Sequence, residues 1–148
     1  MKKLTAIAAL CLALAGCGSL GSQSLVDAAL RHEGKTARQL GLPATLWCAD
    51  AANVFRKEAG FKPTNSRRAI DQLAYAQRIR TPVPGSLQIT TSGRGGHHVD
   101  VVLENHGDGT LTVIGGNVNG AVTRRVVLAS GVFVQPLREG EQAWRVFK

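Results

Sequence analysis

The sequence predicts an α+β domain, with helices in its first half and an antiparallel sheet in its second. Three observations carry this. Apolar residues before position 75 recur at helical spacing, and after position 86 the period changes to two. The strand-like runs follow one another directly, as in an antiparallel sheet, rather than alternating with helices. Turn residues such as Gly107-Asp108-Gly109 fall between consecutive runs.

Each element has its own signal. Leu25, Ala28 and Ala29 follow helical spacing, predicting a helix from Ser24 to about Glu33, closed by Gly34. Gly41-Leu42-Pro43 reads as a turn. Cys48 to Ala59 reads as a second helix, with Ala51, Val54 and Phe55 as its apolar stripe, Thr45 as N-cap and Gly60 as terminator. Ser66 to Gln77 reads as a third, burying Ile70, Leu73 and Ala74. Beyond Thr81-Pro82-Val83-Pro84-Gly85 the strands follow. They are marked by Leu87 and Ile89, by Val99, Val101 and Leu103, by Leu111 and Val113, by Val122, Val126 and Leu128, and by Val132 and Val134.

The composition sets limits. A chain of 148 residues, 44% hydrophobic and 19% charged, fits one globular domain and argues against general disorder. Three cysteines without a C-x-x-C pair make neither a disulfide framework nor a structural zinc site. Met1-Lys2-Lys3 followed by the apolar run Leu4 to Ala15 has the shape of an export signal and is too short to span a bilayer. Leu14-Ala15-Gly16-Cys17 resembles the bacterial lipobox. That resemblance implies cleavage of residues 1–16, lipidation of Cys17, a tether over 17–24 and a domain over 25–148. It also implies membrane attachment without a span, in the cell envelope, with Gly18 favouring the outer membrane and a periplasm-facing domain. Processing would lower the net charge from +8 by the two lysines of the signal. Export makes nucleic acid an unexpected partner, and the positive charge suits an anionic polymer or headgroup surface. The basic residues are scattered, and the short clusters Arg67-Arg68 and Arg124-Arg125 read as solvated surface. Oligomeric state is not legible.

With Cys17 lipidated and Cys11 removed, Cys48 is the one free thiol. It lies at the start of a predicted helix, where unsatisfied amides and the helix dipole favour a thiolate. His98 opens a strand 50 residues later, and Asn117 ends the next strand 19 residues after that. A thiol, an imidazole and a polar group to orient the ring are the parts of a nucleophilic hydrolase, in the chain order of papain-like enzymes. His97 and His98 point to opposite strand faces, so only one can meet Cys48. Asp100 shares the face of His98 and is the alternative orienting residue. The zinc-compatible side chains of His98, Asp100, Glu104 and His106 leave Cys48 without a role, so no metal or other cofactor is expected.

Trp47-Cys48-Ala49, Thr81-Pro82-Val83-Pro84-Gly85, His98-Val99 and Ile114-Gly115-Gly116-Asn117 stand in that order. Together they resemble the landmarks of bacterial CHAP and NlpC-type cell-wall peptidases over about residues 40 to 125. The resemblance implies a papain-like fold and a metal-independent cysteine peptidase or amidase acting on peptidoglycan, with Cys48 as nucleophile, His98 as base and Asn117 as orienting residue. Four departures stand out. Ser86 replaces the Asp that usually follows Pro-Gly, the histidine is doubled, Asp100 replaces a small residue, and Gly115 stands where many members carry Glu. No Gln precedes Cys48 to complete an oxyanion hole, although the Cys48 amide offers one donor. The alternative reading is a catalytically silent wall-binding lipoprotein that retains the fold.

Overall fold

The computed structural model describes residues 20–93 and 95–142. The signal segment, Cys17 and Trp144 lie outside the described residues. Two helices, α1 (Leu20–Leu30) and α2 (Cys48–Glu58), precede six strands: β1 (Ala76–Ile79), β2 (Leu87–Thr91), β3 (His97–Asn105), β4 (Thr110–Val118), β5 (Ala121–Leu128) and β6 (Val132–Pro136). All pairings are antiparallel, in the order β1-β6-β2-β3-β4-β5. The α+β class and the period change are therefore as the sequence predicts.

Alternation decides which residues meet the helices. Leu87, Ile89, Val99, Val101, Ile114, Val122 and Val134 join Leu25, Ala28, Ala29, Ala51, Ala52 and Phe55 in one core. Val102, Leu111 and Val113 form a smaller cluster, with Val127 and Phe133 packed against it. Small residues let α2 sit close to the sheet. A Cβ on Gly116 of β4 would lie 2.5 Å from the Ala51 Cβ and 2.7 Å from the Trp47 ring, so the backbone approach requires glycine.

Helix α1 begins at Leu20, so the last residues of the expected tether are helical. Extending an established helix by a turn is easy compared with nucleating it. The chain then leaves through Gly34, whose N–H bonds to the Val122 carbonyl, while the Val122 N–H bonds to Lys35.

The expected helix over 66–77 does not form. Only a 3-10 segment, Ala69–Leu73, is present, and Ala76 and Gln77 belong to β1. The cause is Arg56, fully buried on α2. Its guanidinium donates to Gln72 Oε1 at 2.8 Å and to the Tyr75 carbonyl at 2.8 Å, with longer bonds to the Gln72 and Ala74 carbonyls. Those carbonyls are turned toward a side chain, and Tyr75 sits at φ 54°, outside the helical region. The freed chain pairs with β6 instead.

Ser86 has a structural role. Its hydroxyl donates to the Val83 carbonyl at 2.6 Å and accepts the Val83 N–H at 3.1 Å, closing the turn into β2.

Candidate active site

Cys48 is the first residue of α2, and the residue before it is Trp47, not Thr45, at the N-cap position. No side chain caps this end. The sulfur takes the place of a cap for the Ala49 N–H of the first turn, and from β3 the Val99 N–H also bonds to it. Leu46, two residues upstream, holds φ 52° while 76% exposed, an uncommon conformation for a non-glycine residue.

His98 meets this thiol. Its Nε2 lies 3.0 Å from Asp100 Oδ1. A carboxylate only accepts, so Nε2 carries the proton and Nδ1 is left for Cys48. Asp100 is 3% exposed, and a buried carboxylate needs partners to stay charged. Arg125 of β5 supplies them as a two-pronged pair, Nη1 to Oδ1 at 3.1 Å and Nη2 to Oδ2 at 2.8 Å. The space occupied by the carboxylate exists because residue 115 is glycine: a Cβ there would overlap Asp100 Oδ1. The two glycines of β4 thus serve two purposes, Gly115 admitting the carboxylate and Gly116 admitting the helix that carries Cys48.

The electrostatics follow from this chain of contacts. Burial alone pushes the Cys48 thiol up, but the hydrogen bond and charge of His98, with the Val99 and Ala49 amides, outweigh it and the net shift is downward. Burial likewise pushes His98 down, and it is overcome by Asp100 and by the Cys48 sulfur, which raise the imidazole from 6.5 to about 9. The opposite shifts of the two groups favour the charged pair, thiolate with imidazolium, over the neutral one. Such a thiolate can attack an electrophilic carbon, and such an imidazolium can protonate a leaving group.

Of the residues singled out in the sequence, the fold brings together Cys48, His98 and Asp100. Asn117, expected to orient the ring, holds φ 61° at the irregularity of β4 between Gly115 and Val118, and the ring's Nε2 bonds to Asp100. Glycine at 115 is the reason, since it clears a place on β4 for a carboxylate from β3. His97 is exposed and lines the neighbouring cleft. His106 bonds to Thr112 Oγ1, and among the described residues no group of three or more His, Cys, Asp or Glu side chains is placed to hold a metal ion.

Arg125 is the residue that sequence reasoning missed. In Arg124-Arg125 the neighbours point to opposite faces, Arg124 pairing with exposed Glu33 and Arg125 with buried Asp100.

The thiol opens onto a cleft of ≈ 340 Å³, within the size range of ligand pockets. Leu46, Arg67, Arg68, Ile70, Gly95 and His97 are among its lining residues. No family model, no curated protein and no solved structure matches the chain.

Proposed function

We propose that this protein is a lipid-anchored, papain-like cysteine hydrolase of the bacterial envelope that cleaves peptide or amide bonds of peptidoglycan. The observation that carries the chemistry is the chain Cys48–His98–Asp100, polarised at its far end by Arg125 and open to a cleft at its near end. The export signal, the lipobox-like Cys17 and the resemblance to CHAP and NlpC-type peptidases support the substrate and the location.

The steps use only this chain's residues and water. The Cys48 thiolate attacks the scissile carbonyl carbon, and the C–N bond breaks as the His98 imidazolium gives its proton to the departing amine. The acyl group is left on sulfur as a thioester. Neutral His98 then takes a proton from water, the hydroxide attacks the thioester carbon, and the sulfur departs as thiolate with His98 again protonated. Asp100 holds the ring in the tautomer and orientation that both steps require.

The test is digestion of purified peptidoglycan by the full chain in mild detergent, beside Cys48→Ala, with released fragments identified by mass. Fragments from the first and none from the second are expected, and their masses name the bond. A folded protein that releases nothing from walls of several species would overturn the hydrolase reading in favour of a wall-binding module.

A further inference from the structure

Among the described residues that line the cleft beside Cys48, Arg67 and Arg68 supply two guanidiniums and there is no Asp or Glu. Each arginine has an acidic neighbour, close for Arg67 and loose for Arg68. Asp50 Oδ2 accepts from Arg67 Nε at 3.1 Å, and Asp71 Oδ2 accepts the Ser66 hydroxyl at 2.7 Å. Arg67 is fixed further by its Nη2, which donates to the Thr45 carbonyl at 2.7 Å. Arg68 has its backbone fixed by Ser66 Oγ, but its side chain is 76% exposed and its contact with Asp71 is a loose 3.9 Å. Arg124 and Arg125, by contrast, each hold a carboxylate two-pronged within 3.1 Å. The lining also includes Gly95 and Gly96, which have no side chains to obstruct an extended substrate backbone.

We infer from this arrangement that the cleft selects peptides bearing a free carboxylate within one residue of the scissile amide, with Arg68 as the receiving group and Arg67 as a fixed second cation. The inference rests on the cysteine hydrolase reading and adds the substrate class to it. A guanidinium fork matches a carboxylate in shape as well as charge. Placed at a cleft mouth, two cations also raise the local concentration of an anionic substrate. Neutralising that carboxylate as a carboxamide keeps size and hydrogen bonding nearly unchanged and removes only the charge, which makes the amide the natural comparison.

The experiment uses the full chain carrying Cys48→Ala, so that binding is read without turnover. Two synthetic peptides are titrated, identical except for a free carboxylate or a carboxamide on the residues flanking the central amide. The acidic peptide is expected to bind about 5- to 10-fold tighter, as suits an exposed charge pair. The preference should shrink as salt rises from 50 mM toward roughly 0.5 M, and Arg68→Gln should remove most of it. Arg67→Lys, which retains charge but loses the fork, serves as a second variant whose melting curve reports folding. Equal affinity for the two peptides, binding of neither by the folded protein, or a preference that survives Arg68→Gln would each overturn the inference. Cleavage of both peptides at equal rates by the unsubstituted chain would sink the carboxylate selection and leave the hydrolase standing.

Discussion

Helix α2 carries a buried polar network at each end, and the two differ in kind. Toward its C-terminus, Arg56 is sealed among the Gln72 side chain and the carbonyls of Gln72, Ala74 and Tyr75, and His32 bonds to Glu58 at 2.8 Å. The Arg56 partners are permanent acceptors, so the guanidinium has no proton to exchange with them and ties the chain after α2 to the helix. At the N-terminus, a thiol and an imidazole are coupled, with a carboxylate behind the ring, and the near end opens to a cleft. Burial of polar groups alone therefore does not mark a site. Coupled groups whose protonation shifts in opposite directions, beside an opening, do.

That contrast can be broken by substitution. The largest effect expected is at the two key residues. Cys48→Ala should lower hydrolysis by about 10⁴-fold or more while leaving stability within about 1 kcal/mol. Arg56→Ala should do the reverse, removing about 2–4 kcal/mol of stability, because it leaves a cavity and unpaired carbonyls. Its denaturation midpoint against that of Cys48→Ala checks both. If Arg56→Ala melts like the parent, the sealed network is not the structural post described.

Next in size are the residues that hold the ring. Asp100→Asn removes the carboxylate that raises His98, so the alkaline limb of activity should move down from about 9 and kcat should fall about 10- to 100-fold. Arg125→Met should lower kcat about 10-fold with KM little changed, since Arg125 acts only through Asp100. Hydrolysis needs both charges, so it rises as the thiol ionises at its lowered value and falls as His98 loses its proton near 9. Alkylation needs only the thiolate and should not fall on the alkaline side. A pH profile of hydrolysis that climbs steadily through 9 would contradict the pairing. The smallest effect belongs to Arg124→Gln. Its partner Glu33 is exposed, and the change should cost within about 0.5 kcal/mol with activity unchanged. Adjacent arginines with such unlike consequences are a sharp test of the strand's two faces.

Much of the fold was legible because it depends on local periodicity. Leu87 and Ile89, Val99 and Val101, and Val132 and Val134 mark strands by alternation alone, and Leu25, Ala28 and Ala29 mark a helical face. What failed was non-local. Nothing within residues 66–77 shows that Arg56, from another helix, will draw off the carbonyls of that segment. The same holds in the site. Cys48 and His98 were legible by type, order and helix position, and Asp100 by the rule that residues two apart share a strand face. Choosing Asp100 over Asn117 needs the packing of β3 against β4 at Gly115, and Arg125 needs the placement of β5 beyond an irregularity. Those registers are properties of strand pairing across the sheet.

The central claim is that Cys48 is a thiolate held by His98, and the most direct test is the pH dependence of Cys48 alkylation in the folded chain, beside His98→Ala. Rapid alkylation at neutral pH is expected, with an apparent ionisation below the ordinary thiol value of 9.0 that moves up when His98 is removed. A thiol that reacts only above 9, or only after unfolding, would contradict the account.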